Sequence, residues 1–148
     1  MGEIGFYHLS SMSLERSLYK LLEQAWTEGH RIVVRAASPE RVEHLSAALW
    51  IYGEASFLPH GSDRDRNAGA QPIWLTHRSE NPNGASLLVL VDGVEAEDIG
   101  SYAGCADLFD GNDAYAVEAA RTRWRRAREA GHTLTYWQQT PSGWERKS

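Results

Sequence analysis

Apolar positions along this chain recur with two alternating periods, and that alternation predicts the architecture. Ile4 to Leu9 is short, aromatic and bounded by Gly and Ser, which reads as an opening strand. Ser13 offers an N-cap, and Leu14, Leu18, Leu21, Leu22, Ala25 and Trp26 then recur at three- and four-residue spacing until Gly29, the pattern of an amphipathic helix. Arg31 to Ala36 has the apolar centre of a strand covered on both faces. Ser38-Pro39-Glu40 supplies a cap, a proline at the first helical position and an early acid, so a second helix is expected from Pro39 to Tyr52. Strand, helix, strand, helix is the grammar of βαβ units.

The second half is more broken. Ser62 to Ala70 is polar and reads as a surface loop, Ile73 to Thr76 as a short strand, Asn81-Pro82-Asn83-Gly84 as a turn and Leu87 to Val91 as the most buried strand, closed by Asp92-Gly93. Glu95 to Tyr102 is expected to form a helical turn packed through Ile99 and Tyr102, and Cys105 to Phe109 a further strand. Gly111-Asn112-Asp113 is the cap region of a third helix that stops at Gly131. His132 to Gln138 reads as a last strand at the sheet edge, and 141–148 as a flexible tail beyond a single domain of residues 1–140.

Composition narrows the classes. With 148 residues, 42% of them hydrophobic, the chain suits one globular core, and its formal net charge of -5 argues against wholesale coating of nucleic acid or of an anionic membrane. The single Cys105 excludes an internal disulfide and fits a reducing cytoplasm; lying in an apolar segment, it reads as a core residue. The chain starts straight into Gly5-Phe6-Tyr7 without the pattern of a signal peptide, and its longest apolar run, Leu87 to Val91, is too short to span a bilayer. A soluble cytoplasmic protein is expected.

Most catalytic patterns fail. A doubly wound α/β pattern invites a nucleotide at the carboxyl ends of the strands, yet neither a Gly-x-Gly-x-x-Gly nor a Gly-x-x-x-x-Gly-Lys-Ser/Thr sequence occurs. Asp63 to Gly69 begins like a calcium loop, but its glycine is one place late and Trp74 stands where a bidentate Glu belongs. The histidines His8, His30, His44, His60, His77 and His132 are scattered, so neither a metal nor a cofactor is expected. Asp92 ends the central strand where a catalytic carboxylate could sit, and Asp-Gly is equally a turn signal.

Against this background one stretch stands out. Arg121, Arg123, Arg125, Arg126 and Arg128 gather five guanidiniums into eight residues. On a helix Arg121, Trp124, Arg125 and Arg128 share a stripe, while Ala116, Val117, Ala120 and Ala127 face inward. Planar guanidinium forks beside an indole form a candidate surface for an anion carried on an apolar group. An arginine-rich last turn is also what a solvated face looks like, since cations suit a helix C-terminus. A second region pairs Trp50, near the end of the second helix, with Phe57, which opens the segment before the polar loop; both are anchor-sized aromatics, and both could be core.

Taken together, Phe6-Tyr7, Ala48-Leu49-Trp50, Phe57-Leu58-Pro59-His60-Gly61 and Arg121-x-x-Trp124-Arg125 before Ala130-Gly131 resemble the chi subunit family of bacterial DNA polymerase III, over nearly the whole chain. The resemblance implies a single-domain Rossmann-like three-layer α/β fold with a mostly parallel central sheet and no nucleotide fingerprint, in a non-catalytic accessory subunit of the clamp-loader assembly. It implies that Arg121, Trp124 and Arg125, with Arg128 nearby, receive the acidic C-terminal tail of single-stranded DNA-binding protein, which ends in phenylalanine. It also implies that Trp50 and Phe57 face a psi subunit or another clamp-loader component, with DNA reached only through the complex. Two positions depart from the family: Val117 replaces a lysine one turn before Arg121, and Asp110 replaces an apolar pocket residue, leaving Arg123, Arg126 or Arg128 to make up the charge. Two other classes compete with this reading: a nucleotide-binding or hydrolytic domain using Asp92 and the strand ends, and direct single-stranded nucleic-acid binding with Trp124 stacked on a base.

Overall fold

The computed structural model describes residues 3–52, 59–62 and 68–147. In chain order they form β1 (Glu3–Leu9), α1 (Leu14–Thr27), β2 (Ile32–Arg35), α2 (Pro39–Tyr52), β3 (Gly61–Ser62), β4 (Ile73–Thr76), β5 (Leu87–Leu90), β6 (Gly104–Asp110), α3 (Ala114–Glu129), β7 (Thr133–Thr140) and β8 (Gly143–Arg146), with short 3-10 turns at Ala68–Ala70 and Ile99–Ser101. The strands make one sheet in the order β3-β4-β2-β5-β6-β1-β7-β8, parallel throughout except for the antiparallel pair β7-β8. The α/β architecture with a mostly parallel sheet is the one the alternating pattern predicts.

The helix boundaries follow from local chemistry. Ser13 accepts the amide of Arg16 at the start of α1, and at its end Gly29 adopts a φ of +91° while His30 N–H bonds back to the carbonyl of Ala25, a glycine-terminated stop. The hydroxyl of Ser38 accepts the amide of Arg41 in the same way for α2. α1 and α2 cover one face of the sheet, packing Leu18, Leu22, Leu45 and Leu49 on Leu9, Val34, Leu75 and Val89. On the other face α3 packs through Ala120, Val117, Trp124 and Ala127 over Ile4, Phe6 and Phe109, and the connection between β5 and β6 covers the rest with Ile99 and Tyr102.

Two expectations fail. Ser62, assigned to a surface loop, is buried in β3 beside β4, because its backbone completes the edge of the parallel sheet. Gly143–Arg146, assigned to the tail, form β8, and the tight connection through Pro141 and Ser142 folds them back on β7, so β7 is an interior strand rather than the edge. Neither is visible in hydrophobic patterning: β3 has two small residues, and Trp144 is the only large apolar side chain in β8. The calcium-like residues 63–67 and the segment 53–58, with Phe57, lie outside the described residues.

Candidate functional site

α3 begins at Asp113, whose carboxylate accepts the amide of Tyr115 at 3.0 Å, and ends at Ala130 with Gly131 at a φ of +87°. Its five arginines do not act alike. Arg123 turns inward and is 9% exposed, with Nε and Nη2 donating to Asp107 of β6 at 2.6 and 2.9 Å; Asp107 is itself 3% exposed. Burial pushes the Asp107 carboxyl upward and the two Arg123 bonds pull it back. Arg126 reaches the other way and donates to Glu95 at 2.6 Å at the surface. Of Arg123, Arg126 and Arg128, Arg123 is therefore committed to the core, whereas Arg126 makes an exposed surface pair.

The predicted stripe is the remainder. Arg121, Arg125 and Arg128 are exposed. Arg121 makes only a 3.4 Å contact with the equally exposed Glu118, and Arg125 Nη2 lies 3.5 Å from Thr122 Oγ1. Pairs of this kind at the surface contribute about 0.5 kcal/mol or less, so the guanidiniums remain available to a ligand. Trp124 is partly buried, its ring edge-on to Phe6 at 5.3 Å and to Tyr136 at 5.8 Å. It packs on the core and is not fully buried, in keeping with its position between the two faces of the helix.

Two residues that the pattern did not single out complete the surroundings. His8 follows Phe6 at the same face of β1, and its Nδ1 lies 2.7 Å from the hydroxyl of Tyr136 on β7. The imidazole also meets Phe109 edge-on at 5.3 Å. Arg121 acts on both His8 and Tyr136, so the arginine stripe and this pair share one electrostatic environment. Asp110 is exposed and accepts the amide of Asn112 at 2.9 Å, capping its own turn. Val117 packs against the core.

Trp50 is 47% exposed and lies 4.3 Å from the ring of buried His60; with Ile51 and Tyr52 it leaves an apolar patch at the end of α2. Whether Phe57 joins it lies outside the described residues.

Asp92, the residue named for the catalytic alternative, has a role in the fold. Asp92 has a φ of +60°, and its carboxylate is held by Arg41 at 2.9 to 3.2 Å and by the amide of Ala37 at 3.3 Å, so it closes the turn after β5 and ties α2 to the sheet. Cys105 is buried, and burial pushes its thiol far above the ordinary range, away from nucleophilic thiolate chemistry. Among the described residues no three His, Cys, Asp or Glu side chains come together as metal ligands, and no helix is long and apolar enough to cross a membrane.

The model of the family described as DNA polymerase III chi subunit, HolC, matches residues 1–135 of this chain. Over 91 residues the chain is also 32% identical to a protein of Rickettsia prowazekii (strain Madrid E) described as a probable DNA polymerase III subunit chi; the match covers 62% of this chain and 55% of that relative.

Proposed function

We propose a binding function for this chain, which belongs to the DNA polymerase III chi subunit family: a non-catalytic accessory subunit of the polymerase III holoenzyme that receives the acidic C-terminal tail of single-stranded DNA-binding protein and links it to the replicase in the cytoplasm. The observation that carries this reading is the sorting of the arginines on α3. Arg123 is held by Asp107 in the core, whereas Arg121, Arg125, Arg126 and Arg128 are exposed on the helix that carries the partly buried Trp124. A tail ending in phenylalanine brings a terminal carboxylate, acidic side chains and one ring. Burying a ring contributes roughly 1.5–3 kcal/mol and a charge-assisted hydrogen bond roughly as much. After ordering costs, a micromolar affinity, about -8 kcal/mol, is reasonable. The exposed apolar patch of Trp50, Ile51 and Tyr52 supports a second surface, on which a psi-type subunit or another clamp-loader component would dock, with Phe57 assigned to it by resemblance.

The experiment is a titration of a labelled acidic peptide ending in phenylalanine, followed by anisotropy at low and moderate salt. Wild type should bind in the micromolar range and weaken with salt, and Arg121→Glu and Arg125→Glu should each weaken binding at least tenfold while the thermal midpoint stays put. Trp124→Ala also removes core contacts, so its binding is read only beside its own unfolding curve. Failure of the folded wild type to bind would remove the adaptor reading and return attention to the Trp50 surface.

A further inference from the structure

The pair formed by His8 and Tyr136 is built into the fold. His8 leaves β1 on the α3 side of the sheet, and its ring lies over Gly111 in the turn between β6 and α3. A Cβ at that glycine would overlap the His8 ring atoms Cδ2 and Nε2. Phe109 borders the ring at 5.3 Å and Tyr136 at 6.0 Å, and the 2.7 Å contact fixes Nδ1 on the phenol oxygen. The partly exposed imidazole therefore has a fixed orientation next to Trp124, which meets the same Tyr136 ring.

The charged and titratable groups around His8 come from three elements: Arg121 from α3, Asp110 from the end of β6, and Tyr136 from β7. Burial holds the imidazole below its ordinary pKa, Arg121 pushes the same way, and Asp110 opposes them. In the free protein at neutral pH the ring is then neutral. In the tautomer whose Nδ1 is unprotonated, the Tyr136 hydroxyl donates its proton to His8 across this contact. A ligand carboxylate set against Arg121 would cancel that arginine's repulsion and favour a charge on the ring.

We propose that His8 is a further recognition residue of the α3 site, taking up one solvent proton when a carboxylate ligand docks against Arg121. The inference rests on the acidic-tail reading of that site. The added proton goes to Nδ1, which then donates to the phenol oxygen, and the Tyr136 hydrogen becomes free to donate to the ligand. The site thereby gains one cation and one outward donor beyond Arg121, Arg125 and Arg128.

The test is calorimetric titration of the acidic peptide ending in phenylalanine between pH 5.5 and 8 at constant ionic strength, in buffers of different ionisation enthalpy. Wild type should bind more tightly as the pH falls, by at most about tenfold per pH unit, with uptake of up to one proton. His8→Gln should bind at pH 8 within about twofold of wild type and lose both the slope and the uptake. Tyr136→Phe should keep the proton uptake and bind more weakly. Wild-type binding without proton uptake, or an unchanged slope in His8→Gln, overturns the inference while leaving the adaptor reading intact. No binding at any pH overturns both.

Discussion

The side-chain carbonyl of Gln139 accepts the backbone amide of Ser11 at 3.0 Å. The amides of Ser10 and Met12 converge on the same oxygen at 3.0 and 2.9 Å. Three successive amides in the turn after the first strand form the kind of concavity that holds a phosphate in nucleotide-binding proteins of doubly wound α/β architecture. Here a residue of β7, 6% exposed, fills it from within, and Nε2 of the same Gln139 donates to Ser17 on α1. The missing glycine fingerprint thus has a structural counterpart: the cradle is present and used to lock β7 to the β1–α1 turn. Gln139→Ala should cost about 2 kcal/mol, the order expected when partly buried donors lose their acceptor, read as a shift in the urea midpoint without a change of slope.

Arg123 and Arg121 sit two residues apart in one run of guanidiniums and should respond in opposite ways. Removing Arg123 leaves Asp107 charged and almost without solvent, a loss of about 3–5 kcal/mol for Arg123→Ala. Replacing both partners, as in Arg123→Met with Asp107→Leu, should recover most of that loss, since two apolar groups of similar volume leave no orphan charge. Arg121→Ala should change stability by less than about 0.5 kcal/mol. A chemical-denaturation cycle over the four proteins checks this. Equal costs at Arg121 and Arg123 would contradict the assignment of one to the core and the other to the surface.

What the sequence made legible is what local chemistry encodes. The limits of α2 were readable because Ser38-Pro39-Glu40 declares a start, and the ends of α1 and α3 because Gly29 and Gly131 take left-handed backbone conformations. The inward arginine was not readable. Helical spacing puts Arg123 opposite the stripe, but only the placement of Asp107 on a strand beneath α3 turns that direction into burial. His8 and Tyr136 are separated by 128 positions and meet only because β1 and β7 are neighbours in the sheet. The exposed half of the candidate site was therefore visible as composition and spacing, whereas the half that supports it depends on tertiary pairing.

Arg35, on β2, is 2% exposed, and its guanidinium makes two bonds to Asp98, at 2.8 and 3.0 Å, just before the 3-10 turn that covers this face. The hydrogen bond from Arg35 holds the Asp98 carboxyl below its ordinary range, against the opposing effect of burial. A carboxylate whose folded pKa is depressed contributes stability that is complete above its unfolded value, about 4, and is lost as pH falls through the folded value. Wild type should therefore lose part of its stability on acidification below about pH 4. Asp98→Asn should be less stable at neutral pH and show a shallower acid limb, measured as the urea midpoint against pH.

Trp144 gives β8 its hold on the sheet. Its ring meets Tyr7 of β1 edge-on at 5.2 Å, and Tyr7 in turn stacks on Trp137 of β7 at 6.3 Å with the rings nearly parallel. Gln139 and Trp144 are cross-strand partners, so the hairpin that carries the ring also backs the residue filling the β1–α1 turn. Aromatic pairs of this geometry contribute about 0.5–1.5 kcal/mol beyond the area they bury. Trp144→Ala should lower stability by about 1 kcal/mol, or roughly 3 °C in thermal midpoint for a chain of this size. Truncation after Thr140 should cost more, because it also removes the backbone ladder from β7. A truncated protein as stable as the full chain would mean that residues 141–148 behave as the tail their composition suggests, and that β8 contributes nothing to the fold.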